Sequence, residues 1–276
     1  MREFYAKDMG LALNRNEAKA RCLTYRRQIL AMSQKVTALH VAPAFSCLEI
    51  VDAIYQIMTE DDVFLMSKGH GCLIQYVILA ERGILSQTDL DAYCTKGGRL
   101  GAHPDYGIPG IAAATGSLGH GLGMAVGMAQ AKRLQSKPGT IYVVLSDGEL
   151  QEGSTWEAVM MAVNLRLNNL VACVDFNNFT SFGRMTEGHP AVFPVAEKWR
   201  AFGWQANDLD GHDSEALFEA LTPSHAQPQD KPVAWICQTI KGKGVSFMEN
   251  VPIWHYRSPN AEEYQQALRE LDQAQG

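Results

Sequence analysis

The segment between residues 141 and 175 constrains the fold more than any other part of the sequence. It begins with the apolar run IYVVL (141–145), continues with a helical pattern over 154–167, and ends with the apolar run LVACVD (170–175). Apolar runs without polar alternation are typical of strands buried on both faces of a sheet. Two such strands joined by a helix predict a right-handed parallel crossover.

The rest of the chain continues this α/β pattern. Residues 233–238 (VAWICQ) predict another parallel strand and residues 203–209 a weaker one, while helical spacing occurs over 13–35, 48–58 and 71–82. An irregular turn is expected at 40–46 because it contains Pro43. The predicted fold class is therefore α/β, a doubly wound, mainly parallel sheet with helices on both faces. The 276 residues are expected to form a single domain, 1–276.

Composition excludes several classes of function. The formal net charge is -6 and the basic residues are scattered, which argues against a nucleic-acid-binding protein. The first 19 residues lack the apolar core of a signal peptide, and no window is long enough to cross a bilayer, so a cytoplasmic protein without membrane contact is expected. The six cysteines lie far apart without a CxxC pair, which predicts reduced core thiols.

Two glycine-rich stretches have different predicted roles. Residues 97–110 (GGRLGAHPDYGIPG) form an irregular tract too long for a simple connection, which is typical of functional loops. In the next stretch, Gly119, Gly123 and Gly127 are four apart, which places them on one face of a predicted helix. Each glycine costs about 1 kcal/mol in a helix interior. We expect close packing on this face, either inside the chain or against a second subunit.

The acidic stretch after the first strand of the crossover indicates a metal site. The sequence LSDGELQEG carries three acids within six positions and no basic residue. Because ligands gather at the carboxyl ends of parallel strands, Asp147 and Asn177 should converge there. With the carbonyl of Phe179 they form half of an octahedral shell for Mg²⁺, or for Ca²⁺ or Mn²⁺. The Gly148 amide could then meet a diphosphate.

Ordinary structural roles compete with this interpretation. Asp-Gly is a strong turn signal and Asn-Asn is common in loops. A capping box formed by Ser154 and Glu157 would likewise make Glu157 a structural residue. The two strand-end motifs beside one crossover helix favour the metal site over these alternatives.

The same residues resemble the thiamin diphosphate motif, with Ser146 in place of the first glycine of its GDG opening. More widely, the chain resembles the amino-terminal half of a transketolase over nearly its full length. The matching stretches are SKGHG (67–71), GAHPD (101–105), PGIAAATGSLGHGLGMAVGMA (109–129), TIKGKGVSFMEN (239–250) and WHYRSP (254–259).

The resemblance implies a role for each matching position. The metal would be held by Asp147, Asn177 and the Phe179 carbonyl. The positions implied to bind thiamin diphosphate are His70, Gly116, Leu118, Asp147, Gly148, Asn177, Ile240 and His255. Those implied to be catalytic are His40, His70, His103, His255 and Glu152. The surroundings of His40 depart from the family pattern, and ordinary solvated or hydrogen-bonded roles are expected for His120, His189, His212 and His225.

The resemblance also implies a partner. The pyrimidine-side and carboxy-terminal domains of a transketolase are expected on a separately encoded chain, in a dimer of heterodimers, a heterotetramer. Glu152 would then communicate with a glutamate of that partner, and Glu157 would lie at the same interface. The implied activity is transfer of a two-carbon ketol unit from a ketose, expected to be phosphorylated, to an aldose.

Two alternatives to a transketolase subunit remain open. A 2-oxoacid dehydrogenase subunit shares the metal and diphosphate motif, but a 2-oxo acid needs a cation for its carboxylate, whereas the histidine set suits a polyhydroxy substrate. A non-catalytic regulatory relative would keep the fold without the chemistry.

Overall fold

A five-stranded parallel sheet forms the centre of the molecule. The computed structural model describes residues 14–36, 39–222 and 230–274. The strands are β1 (Val63–Met66), β2 (Ile141–Ser146), β3 (Leu170–Phe176), β4 (Gln205–Asp210) and β5 (Val233–Gln238). Their order is β1-β2-β3-β5-β4, and every pairing is parallel. The predicted strands are confirmed, whereas β1, with four residues, was too short for the sequence pattern to reveal.

Helices connect the strands. Those of the described residues are α1 (Arg15–Ser33), α2 (Val41–Ser46), α3 (Leu48–Ile57), α4 (Cys72–Glu81), α5 (Gln87–Asp91), α6 (Gly121–Leu134), α7 (Gly153–Asn164), α8 (Met185–Gly188), α9 (Val195–Ala201), α10 (Ser214–Leu221) and α11 (Ala261–Gln273). The crossover between β2 and β3 is made by α7, as the sequence predicts. The tract 97–110 has neither helix nor strand.

Apolar residues fill both faces of the sheet. Val143 and Leu145 of β2 pack into a core with α6, α7 and α9, while Tyr142 and Val144 pack into a second core with α1, α3 and α4. Successive strand residues thus point to opposite faces, and both sets are buried. Each such apolar side chain contributes about 1.5–3 kcal/mol. The doubly wound architecture is confirmed.

The turn expected at 40–46 is instead the short helix α2. Pro43 is its third residue, and in the first turn of a helix the main-chain N–H has no intrahelical partner for proline to remove. All six residues of α2 are buried. This helix brings Pro43 and Ser46 beneath the carboxyl ends of the strands, where both receive hydrogen bonds from residues described below.

Two details near α6 and α7 also differ from expectation. Gly119 lies before α6 in a left-handed conformation (φ +86°), so only Gly123 and Gly127 of the glycine series are helical. The residue capping α7 is Glu152 and no side-chain cap forms, so the predicted capping box is absent. Ser154 donates instead to the main-chain carbonyl of Gly119 at 2.9 Å, which ties the two segments together.

The cysteines agree with the expectation of core thiols except at Cys94. All six cysteines are free, and five of them are buried while Cys94 is exposed. None of the helices in the described ranges is long and apolar enough to traverse a bilayer.

Candidate active site

The tips of β2 and β3 meet at one edge of the sheet. Ser146 and Asp175 are paired across the two strands. One residue further on, the main-chain N–H of Asp147 donates to the carbonyl of Asp175 at 3.2 Å. The N–H of Asn178 in turn donates to Oδ2 of Asp147. The two strand-end motifs are therefore neighbours in space.

Asp147 is a buried carboxylate that forms no ion pair with the residues the structure describes. Its side chain is fully buried, and Oδ1 accepts the Gly148 N–H at 2.8 Å. Burial raises the pKa of Asp147 to about 7, and the nearby carboxylate of Asp175 adds to the effect. A bound cation would relieve this cost, because an opposite charge favours the ionised carboxylate.

Two further oxygen atoms lie beside it. Oδ1 of Asn177 accepts the Phe179 N–H at 3.0 Å and keeps a second lone pair. Phe179 faces Arg184 in an antiparallel bridge. The hydrogen bonds of this bridge join Thr180 to Gly183 and Met185 to Asn178, so they do not use the carbonyl of Phe179. A carboxylate, an amide oxygen and a main-chain carbonyl are the donors that a hard divalent cation prefers. The residues thus fit such an ion.

Two buried lysines that the sequence analysis missed flank this position. Lys68 is fully buried, forms an ion pair with Asp175 and donates to the Pro43 carbonyl at 3.0 Å. Lys241 is 1% exposed, and its Nζ lies 2.8 Å from Nδ1 of His255. Burial lowers the pKa of Lys241 to about 8, with Lys68 adding to the effect. Lys241 is thus a cation at neutral pH, positioned on the wall of the cleft described next.

A cleft of about 700 Å³ opens above the strand tips. Four of its lining residues form a cluster of imidazole rings, in which the centroid of His40 lies 5.7 Å from that of His70, 5.7 Å from that of His103 and 5.4 Å from that of His255. His40 and His103 lie outside helices and strands, whereas His70 and His255 lie in the short 3₁₀ helices Gly69–Gly71 and Pro252–Tyr256. The ring of Tyr256 lies 4.6 Å from that of His40 on the outer side.

The imidazoles are held in the neutral form. Burial lowers the pKa of His40 to about 4, with His103 and the two lysines adding to the effect. Burial lowers the pKa of His255 to about 3, with Lys241 as the next cause. Burial also lowers the pKa values of His70 and His103. Each ring therefore offers one N–H donor and one acceptor at neutral pH.

The loop before α6 is fixed in place by close contacts. Gly116 has φ +140°, and a Cβ atom there would lie 2.9 Å from Cγ of His103. A Cβ atom on Gly69 would lie 2.8 Å from the Gly116 nitrogen. At the far end of the loop, the Gly119 N–H donates to Oε1 of the buried Glu149 at 2.9 Å. Only glycine fits these positions, and the loop presents its main chain to the cleft.

The structure gathers most of the predicted site residues into this one cleft. Those lining it are His40, His70, His103, His255, Glu152, Gly116, Leu118, Gly148, Asn177 and Phe179. Asp147 lies fully buried next to Gly148. Ile240 does not line the cleft and lies in a second one of about 520 Å³, where its N–H donates to Nε2 of His212.

The remaining histidines have varied surroundings. His212 is hydrogen-bonded on both ring nitrogens, since Nδ1 lies 3.0 Å from Oε2 of Glu49. His120 is exposed at the start of α6, with Nδ1 3.1 Å from the Leu118 carbonyl oxygen. His189 is exposed but lines the main cleft. His225 lies outside the described residues.

Comparison with known proteins identifies the family. The family model described as transketolase, thiamine diphosphate binding domain, matches residues 43–272. The chain belongs to the transketolase family. It therefore carries a thiamine diphosphate-binding domain, and the cleft occupies the carboxyl edge of the sheet in that domain.

Individual transketolase relatives refine this assignment. The chain is 36% identical over 258 residues to the A-type component of the apulose-4-phosphate transketolase of Phocaeicola vulgatus, covering 90% of this chain and 91% of that one. It is also 36% identical to the 6-deoxy-6-sulfo-D-fructose transketolase subunit SqwG of Clostridium sp., covering 90% and 93%. The transketolase from Campylobacter jejuni superposes with a TM-score of 0.87 at 26% identity, over 94% of this chain but 43% of that one.

These matches confirm that the chain corresponds to the amino-terminal subunit of a split transketolase. Two subunit chains are covered nearly end to end, whereas a transketolase of solved structure is covered over less than half of its length. The 2-oxoacid dehydrogenase alternative is not favoured.

Proposed function

We propose that this transketolase subunit transfers a two-carbon ketol unit from a ketose to an aldose, using the cleft above β2 and β3. One observation carries the proposal. A single cleft of about 700 Å³ contains the strand ends at Asp147 and Asn177, the loop before α6 (116–118) and four imidazole rings. Thiamine diphosphate, when bound, supplies the nucleophilic carbon and the electron sink that this chemistry needs.

Asp147, Asn177 and the Phe179 carbonyl are the proposed ligands of a divalent cation, which we take to be Mg²⁺. The support is the oxygen character of the three groups and the burial of the one carboxylate. Phosphate oxygens and water would complete the coordination. Lys241, which the sequence analysis did not assign, would contribute a positive charge to the diphosphate beside His255. His70, Gly148 and Ile240 remain predicted contacts of the cofactor.

The imidazoles are proposed to bind the sugar and to move its protons. Neutral His40, His103 and His255 can donate to or accept from hydroxyl groups without burying a charge. With ring centroids 5.4–5.7 Å from that of His40, the imidazoles are close enough together for one short polyol to contact several of them. His70 completes the set on the side of β1. These four are our candidates for general acid and base work.

A separate chain is proposed to complete the site. Glu152 is exposed at the rim of the cleft, where a partner subunit could meet it. Gly123 and Gly127 lie on an exposed face of α6 and their Cα atoms have open space beside them. We propose that this face, with the neighbouring Glu157 of α7, contacts a subunit that carries the pyrimidine-side and carboxy-terminal domains. The assembly would be a cytoplasmic heterotetramer.

An anionic ketose is the proposed donor. The names of the two relatives describe sugars that carry a phosphate and a sulfo group, respectively. We extend only this shared feature, a ketose with an anionic substituent, to the present chain. The cations that recognise this substituent would lie partly on the partner subunit.

Reconstitution tests the proposed function. Tagged full-length chain is co-purified with its partner, and the pair is assayed with thiamine diphosphate, Mg²⁺ and ribose 5-phosphate as acceptor. Xylulose 5-phosphate or a related ketose phosphate should be consumed, and pyruvate should not. An Asp147→Ala pair should lose at least about 100-fold in rate and no longer retain the cofactor on gel filtration. Turnover of pyruvate, or full activity of Asp147→Ala, would contradict the proposal.

A further inference from the structure

A buried polar network lies directly beneath Asn177. Its centre is Asp175, which is fully buried near the end of β3 and ion-paired with the equally buried Lys68. Oδ1 of Asp175 accepts from the hydroxyls of Ser46, at 2.7 Å, and of Thr239. Oδ2 accepts from Lys68 and from Nδ2 of Asn177, the latter at 3.2 Å. The carboxylate thus receives four donors from four separate segments.

These contacts allow one orientation of the Asn177 amide. Its Nδ2 donates to Oδ2 of Asp175 and, at 3.0 Å, to Oγ of Ser46, while its Oδ1 accepts from the Phe179 N–H. A flipped amide would place Oδ1 against a carboxylate oxygen, two acceptors in contact. It would also place Nδ2 against the Phe179 N–H, two donors in contact. The network therefore holds Oδ1 on the side of the Phe179 main chain.

We propose that Asp175 is a positioning residue of the metal site. Its carboxylate binds the NH₂ group of Asn177 and so turns Oδ1 toward the place where a divalent cation would be held. Lys68 supplies the opposite charge that a fully buried carboxylate requires. The inference rests on the proposed function in one respect, because it takes Oδ1 of Asn177 as a ligand. It gives Lys68 and Asp175, which are not metal ligands themselves, the role of orienting one of the ligands.

A purely structural role for Asp175 makes a different prediction. If the carboxylate only stabilised the sheet, its replacement would lower the stability of the chain, and any loss of metal affinity would be independent of Asn177. A positioning role acts through Asn177. The two losses of affinity should then fail to add, which a double-mutant cycle measures directly.

The experiment uses the purified full chain with Mn²⁺ and inorganic pyrophosphate as probes, and free Mn²⁺ is measured by electron paramagnetic resonance. Asp175→Asn should weaken Mn²⁺ binding about 10- to 100-fold, as is usual for groups that orient metal ligands. Asn177→Ala should weaken it similarly, and the double variant should be no weaker than Asn177→Ala. Asp208→Asn is the control for loss of a carboxylate elsewhere in the sheet, since Asp208 is exposed within β4 and pairs with Ile236 of β5.

Two further variants guard against misfolding. Lys68→Met/Asp175→Asn removes both interior charges together, and Ser46→Ala removes the other acceptor of Asn177 Nδ2 while the ion pair stays. Both should weaken Mn²⁺ binding. Wild-type affinity in the folded Asp175 variants, or additive losses in the double-mutant cycle, would overturn the inference. Failure of the wild-type chain to bind Mn²⁺ with pyrophosphate would instead contradict the proposed metal site.

Discussion

Nζ of Lys241 lies 2.8 Å from Nδ1 of His255, so an ammonium group and an imidazole share one hydrogen bond on the wall of the cleft. Because an ammonium group can only donate, Nδ1 is the acceptor and the ring proton of neutral His255 is on Nε2. The pair links the charge of the cleft to the protonation of one of its histidines.

Replacing Lys241 by methionine should raise the pKa of His255. Burial, the larger cause of its low value of about 3, remains in the variant, so we expect a partial rise in the pKa rather than a return to 6.5. Histidine titration by NMR would measure the change. Lys243→Met, which removes a half-exposed lysine two residues away, is the control and should leave His255 unchanged.

Pyrophosphate binding should weaken at high pH. The lowered pKa of Lys241, about 8, means that the ammonium group loses its proton above pH 8 in the free chain. If only the charged form binds the anion, affinity should fall about tenfold between pH 7 and pH 9. Isothermal titration calorimetry with Mg²⁺ present would show this. Lys241→Arg, which stays charged throughout, should give a flat profile over the same range, and an equal decline in this variant would assign the effect to another group.

Gly116→Ala should disturb catalysis more than folding. The added Cβ would meet the ring of His103 at 2.9 Å, and displacement of a catalytic group typically costs on the order of 10- to 100-fold in rate. Gly107→Ala is the matched control, because Gly107 also has positive φ (+98°) but nothing within 4 Å of the added atom. Both variants should lose about 1–2 kcal/mol of stability from backbone strain. Equal activities of the two variants in the reconstituted pair would argue against the contact.

The stability of the chain should fall at low pH because Glu49 becomes protonated. This buried carboxylate overcomes its burial by pairing with Arg26 at 2.7 Å and with His212, and its pKa is lowered to about 2. The carboxyl group of Glu49 has a lower pKa in the folded chain than its unfolded value, near 4.5. Its ionised form therefore stabilises the folded chain fully above pH 4.5, and this contribution is lost as the pH falls toward 2. The loss should reach about 3 kcal/mol, as urea unfolding at pH 6 and pH 2.5 would show.

Glu49→Gln provides the comparison for this titration. The variant should be less stable than the wild type at pH 6, because Arg26 is left buried without its counter-charge. Its stability should then change less between pH 6 and pH 2.5. If the stability of the variant fell between pH 6 and pH 2.5 as much as that of the wild type, other carboxylates would be responsible for the loss.

Substitutions on the exposed face of α6 should separate folding from assembly. Gly127→Ala should stabilise the isolated chain by about 1 kcal/mol, because the site is helical, exposed and has room for a methyl group. Gly127→Leu also fits the isolated chain, but its bulk should weaken binding of the partner by about tenfold or more. Thermal unfolding and co-purification measure the two effects. Unchanged assembly by Gly127→Leu would exclude this face from the interface.

The sequence predicted the sheet because its central strands are buried on both faces and so form uninterrupted apolar runs. β2, β3 and β5 are of this kind. It failed on α2, where a proline suggested a turn although the first helical turn tolerates it. It also placed Gly119 in a helix, since spacing alone does not report the sign of φ.

The convergence of Asp147 and Asn177 was predictable, because both follow the ends of adjacent parallel strands. Lys68 was missed because a lysine in a glycine-rich loop is normally solvated. Its burial depends on Asp175, which is 107 positions away in the sequence and becomes its neighbour only through the sheet. Lys241 lies in the stretch TIKGKG, and only the fold shows that its side chain enters the cleft rather than water.

The low pKa values of the imidazoles have a consequence for the order of events in the cleft. Part of the depression comes from the positive charge of the two lysines, and any anion held beside Lys241 would offset that charge. The unliganded rings are therefore poor proton acceptors, and a diphosphate beside Lys241 would raise their pKa values only in part, because burial, the larger cause, remains. Capture of an anion would thus make the cleft more basic than it is in the free chain, while its rings remain neutral at pH 7.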